Sequence, residues 1–71
     1  MITEFTCGIY TATYVNDGWD LKIYPHNIGV IHDNGETLQT TTCCLFPIDD
    51  LIEIAVLMNN IKRQYKQLQT N

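Results

Sequence analysis

Between Leu51 and Met58 the only polar residue is Glu53. This short run constrains the fold more than anything else in the chain. It lies in a segment that starts after Pro47, carries Asp49, Asp50 and Glu53 early and Lys62, Arg63 and Lys66 late, and so complements a helix dipole. Leu51, Ile54, Met58, Ile61, Tyr65 and Leu68 are spaced 3, 4, 3, 4, 3, which predicts one apolar stripe on a helix over about 48–68. Ile48, Ile52, Ala55 and Val56 form a second set beside it. A helix resting on one sheet needs a single stripe, so a front half apolar nearly all round is expected to be covered on more than one side. The expectation is a homodimer packed across a two-fold axis, with Ile52, Val56, Leu57, Ile61 and Tyr65 at its interface. The alternative is a curled sheet that wraps one helix.

The length points the same way. A chain of 71 residues is one small domain, and below roughly 70–80 residues a single core rarely supplies more than about 3–5 kcal/mol. Disulfides, a metal or oligomerisation are the usual supplements. Three cysteines and an N-terminus without a basic segment before an apolar one argue against a disulfide framework and for reduced thiols, so a cytoplasmic protein is expected. Membrane partners are not expected, because no apolar run approaches the roughly 18 residues of a spanning helix.

Ahead of the helix the periodicity is that of strands. Val15-Asn16-Asp17-Gly18-Trp19 offers a type I′ turn at Asp17-Gly18, pairing Tyr14 with Leu21 and Ala12 with Ile23. That gathers Tyr10, Ala12, Tyr14, Trp19, Leu21 and Ile23 on one face. Phe5, Cys7 and Ile9 have the opposite parity, which implies a bulge or bend near Gly8. Pro25 ends the second strand. At Asp33-Asn34-Gly35 two registers stay open: a bulged turn pairs Val30 with Leu38, and a tight Asn-Gly turn pairs Ile31 with Leu38. The expected architecture is α+β, a four-stranded antiparallel sheet of two hairpins followed by one helix, ββββα, with strands at about 3–15, 18–24, 28–32 and 36–43.

Little here resembles reaction chemistry. Cys43 and Cys44 are neighbours on a strand, so their side chains diverge and cannot share one metal without distortion. The other ligand candidates, Cys7, His26 and His32, have no zinc-site spacing, so the thiols are read as packing groups, one facing the helix and one not. Asp49 and Asp50 read as helix N-terminal charge. No catalytic residue, metal site or cofactor is expected.

Charge narrows the partner. Residues 1–61 hold all eight acidic residues and one basic residue, Lys22, while Lys62, Arg63 and Lys66 follow. Such a body repels phosphate, so direct nucleic-acid binding is disfavoured and a larger protein with a basic surface is favoured. The residues expected to meet that partner are Asp17, Asp20, Tyr24, Asp33 and Glu36. The function expected is a small non-catalytic interaction module, an inhibitor or adaptor. The alternatives are a homodimeric accessory subunit, or a dimer binding a small molecule or nucleotide. In size, acidity and a small sheet with one helix, the chain is similar to the inhibitors that phages and mobile elements use against host defences, anti-CRISPR proteins among them. That likeness implies an anti-defence role and assigns no site residue.

Overall fold

The computed structural model describes residues 1–41 and 45–69. Among the described residues an antiparallel sheet of five strands, β1 (Glu4–Cys7), β2 (Tyr10–Val15), β3 (Gly18–Ile23), β4 (His26–His32) and β5 (Thr37–Thr40), precedes one α-helix, α1 (Ile48–Gln69). The strands follow one another in chain order across the sheet. The α+β class and the terminal helix match the sequence expectation, and the strand count does not.

The fifth strand comes from dividing the expected first one. Gly8 has φ +60 and forms a two-residue turn with Ile9, so that Cys7 pairs with Tyr10 and Phe5 with Ala12. The change of parity near Gly8 is therefore a complete hairpin, not a bend. Glycine is needed twice over, because a Cβ at this position would run into the Glu53 carboxylate.

At the next turn the expected register slips by two. Asn16 (φ 51) and Asp17 (φ 67) are the central pair, Val15 faces Gly18, and Ala12 pairs with Leu21 where Ile23 was expected. Asn and Asp tolerate the left-handed region, so the glycine is released to start β3. A slip of two keeps every side chain on its face, and Tyr10, Ala12, Tyr14, Trp19, Leu21 and Ile23 remain together. In β4, Leu21 pairs with Gly29 and Lys22 with Asn27, leaving Ile28 as a bulge residue. The bulge is why Ile28 and Ile31, three apart, both enter the core.

Tyr24 and a cis Pro25 make the β3–β4 turn. At the last turn Ile31 pairs with Leu38, the register of the tight Asn-Gly alternative, and Asp33, Asn34 and Gly35 all have positive φ. The Thr37 hydroxyl donates to Asp33 Oδ2 at 2.9 Å. β5 is described to Thr40; the expected continuation to Cys43 and the orientation of the Cys43 and Cys44 thiols lie outside the described residues.

α1 crosses the inner face from one end of the sheet to the other. At its start the Tyr10 hydroxyl donates to Asp50 Oδ2 at 2.7 Å, and the Phe46 ring packs 6.4 Å from that of Tyr10. Towards its end Gly35 is seated on the helix backbone, where a Cβ would lie 2.6 Å from the Met58 carbonyl oxygen. Tyr10, Ala12, Trp19, Leu21, Ile28 and Ile31 of the sheet enclose Ile54, Leu57 and Ile61 of the helix. The Trp19 indole N–H donates to the Tyr65 hydroxyl at 3.4 Å. Gln64 holds the N-terminal segment from both sides, accepting from the Ile2 N–H at 2.7 Å and donating to the Ile2 carbonyl at 2.9 Å.

Three of the residues expected at a dimer interface pack within the chain itself. Leu57 and Ile61 are fully buried against their own sheet, and Tyr65 is half-buried beside Trp19, so none of them is a front-ridge contact. Ile52 and Val56 do face outward.

Candidate interaction surfaces

Two surfaces are left uncovered by the packing of one layer on another. The first is the outer face of the sheet, which no helix shields. Glu4, Thr13, Asp20, Val30 and Gln39 form one row across all five strands, and Thr6, Thr11, Lys22 and Asn27 form a neighbouring row. Threonine suits such a face because it is β-branched and polar at once. Glu4 and Asp20 stand two strands apart in that row, a separation of roughly 10 Å.

The expected partner-binding residues do not come together in one patch. Asp20 lies in the middle of the open face. Asp17 sits in the β2–β3 turn and Asp33 and Glu36 in the β4–β5 turn, at the same end of the meander. Tyr24 is in the β3–β4 turn at the opposite end, 87% exposed. Two of these carboxylates have partners in the chain. The Tyr14 hydroxyl donates to Asp17 Oδ1 at 3.1 Å, and the bond to this carboxylate is the main reason the Tyr14 pKa is raised. Lys62 Nζ lies 3.0 Å from Glu36 Oε1.

That ion pair bridges an open groove of about 500 Å³ between the β4–β5 turn and the rear of α1. Asp33 and Glu36 line one lip, and Lys62, Arg63 and Lys66 the other. The lips have opposite sign and largely compensate each other.

The second surface is the outer ridge of α1, and its chemistry changes along its length. In the front half Ile48 (74% exposed), Ile52 (57%) and Val56 (40%) face away from the sheet with Ala55 between them, and Leu51 (49%) lies at their flank. From Asn59 onward the same side carries Lys62, Arg63 and Lys66. Exposed apolar side chains are usually scattered singly, whereas here they lie side by side. Leu51, a member of the predicted stripe, is 49% exposed, whereas Leu57, outside that stripe, is fully buried. The signal that separates them is the basic rear of the helix. Lys62, Arg63 and Lys66 must face water, and extrapolating their side forward by helical turns reaches Ile52, Ala55 and Val56.

Cys7, His26 and His32 are dispersed. Cys7 is half-buried on the inner face, His26 is exposed at the β3–β4 turn, and His32 is hydrogen-bonded to Gln39 at 3.1 Å near the opposite end. Among the described residues no three His, Cys, Asp or Glu side chains are grouped as a metal site requires, and no helix is long and apolar enough to cross a membrane. Comparison with known proteins returns no match to a family model, a curated protein or a solved structure.

Proposed function

We propose that this chain is a non-catalytic interaction module that presents its open sheet face to a basic surface of a larger protein, acting as an inhibitor or adaptor by occupying that surface. One observation carries the reading. Residues 1–41, which build the sheet, contain Glu4, Asp17, Asp20, Asp33 and Glu36 against Lys22 alone, a net of minus four; α1 contains Asp49, Asp50 and Glu53 against Lys62, Arg63 and Lys66, a net of zero. The entire formal charge of minus four therefore belongs to the sheet layer. Within it, Glu36 is drawn towards Lys62, which leaves Asp20 and Glu4 on the open face and Asp17 at its rim as the acidic groups available to a partner.

An open, threonine-rich sheet face carrying Glu4 and Asp20 in one row offers hydrogen-bond acceptors at fixed strand spacing, suited to lysine and arginine side chains projecting from a partner. Long-range attraction speeds the encounter and disfavours acidic partners. A surface that binds nucleic acid is basic in the same way, and a module seated on it would exclude the nucleic acid. This is where the anti-defence role implied by the chain's general type joins the reading.

The test is affinity capture from the native host with the wild-type chain and with Glu4→Lys plus Asp20→Lys. The expected partner carries a basic surface, is released progressively as salt rises, and is lost from the charge-reversed variant. Capture unchanged by charge reversal and insensitive to salt would refute the reading.

A further inference from the structure

The ridge of α1 is self-complementary, and we infer that it is the contact between two copies of this chain, packed helix on helix in antiparallel orientation about a two-fold axis near Val56. Each part of the inference has a residue behind it. Ile48, Ile52 and Val56 are between 40% and 74% exposed on the side of the helix away from the one that Ile54, Leu57 and Ile61 bury in the sheet, and Leu51, 49% exposed, stands at the flank of that ridge. Ala55, also outward, is the small residue that lets two helix axes approach at the centre of the contact.

Charge then selects the occupant and its direction. Asp49 precedes Val56 by seven residues and Arg63 follows it by seven, two helical turns on either side. A second copy placed antiparallel sets Asp49 of each chain against Arg63 of the other, with Lys62 and Lys66 flanking the acidic first turn. A parallel arrangement would set Asp49 on Asp49 and Arg63 on Arg63, which is repulsive at both ends. An isologous contact also closes after two copies and leaves no ridge exposed to propagate further.

Because the ridge lies on the far side of α1 from the sheet, the dimer would turn its two acidic sheet faces outward in opposite directions. This consequence, a bivalent module, rests on the function proposed above; the dimer itself does not.

Sedimentation equilibrium with four variants tests the inference. The wild-type chain, 8.2 kDa alone, is expected at twice that mass at tens of micromolar, and Ile52→Glu at the single-chain mass with an unchanged circular dichroism spectrum. Asp49→Lys and Arg63→Asp are each expected to weaken association by about tenfold, since the two-fold axis repeats every charge contact. Their combination restores opposite signs and is expected to recover most of the loss. A wild-type chain that stays single at about 200 μM, a dimer indifferent to Ile52→Glu, or single charge variants without effect would each overturn the inference. A single-chain result would assign the ridge to a different occupant; failed capture of a basic partner by a chain that still dimerises would leave the inference intact and remove the sheet-face reading.

Discussion

The front and rear halves of α1 share one inner face and differ completely on the outer one. Inside, Ile54, Leu57 and Ile61 continue as an unbroken buried line from the β1–β2 turn to the β4–β5 turn. Outside, Ile48, Leu51, Ile52 and Val56 give way at Asn59 to Lys62, Arg63 and Lys66. The inner line is what a sheet of five strands requires of its one helix. The outer front half is not required by that sheet at all, so its apolar chemistry points to a contact outside the chain. Hydrophobicity along a helix therefore has to be apportioned by side before it says anything about the core.

The sharpest way to break this comparison is to shorten one side chain on each face of the front half. Leu57→Ala is expected to cost about 2–5 kcal/mol, enough to leave a domain of this size largely unfolded, whereas Ile52→Ala should stay within about 0.5 kcal/mol. Urea unfolding at low micromolar concentration measures both. Equal costs would mean that the outer ridge is covered by its own chain.

A smaller effect is expected at the rear anchor. Gly35→Ala places a Cβ at φ +99, 2.6 Å from the Met58 carbonyl oxygen, so it should destabilise by more than about 1 kcal/mol. A neutral outcome would show that the last turn is not pressed against the helix. Smaller again is Lys62→Met, which removes an ion pair whose side chains are 45% and 61% exposed. Its expected cost is below about 1 kcal/mol, and the difference from wild type should shrink as salt is added.

The smallest effect concerns alkaline pH. The hydrogen bond to Asp17 raises the Tyr14 pKa above the ordinary tyrosine value of 10.0. A raised folded value means that this bond's contribution is fully present below pH 10 and fades as pH rises through the folded value. Thermal melting from about pH 9 to 11 should show wild type losing its small advantage over Tyr14→Phe across that window. A difference that grows with pH would contradict the assignment.

Much of this was legible from residue order because strand parity survives errors of register. The Asp17-Gly18 turn was displaced by one position and its pairing by two, yet the buried set on β2 and β3 was unaltered. The Gly8-Ile9 turn was missed for a physical reason. Ile9 is a β-branched residue at the second turn position, and the pair has none of the Asn-Gly or Asp-Gly signature. The helix boundaries, 48–68 against 48–69, followed from Pro47 and the charge gradient. Its rotational phase did not, because a front half apolar nearly all round fits several orientations equally well. Asp20 and Tyr24 are both expected to meet a partner, and the β3–β4 turn carries Tyr24 to the end of the sheet, away from Asp20. The clasp of Gln64 on Ile2 and the bond of Tyr10 to Asp50 join residues 62 and 40 positions apart, and only the assembled fold brings them together.

In the dimer inferred above, the outer front of α1 is a contact surface and its inner line is not. Isotope-filtered nuclear Overhauser measurements on a mixture of labelled and unlabelled chain test it directly. Contacts between chains are expected at the Ile52 and Val56 methyl groups and none at Leu57 or Ile61. Contacts between chains confined to the sheet edges, or absent from the ridge at a concentration where the mass is doubled, would contradict it.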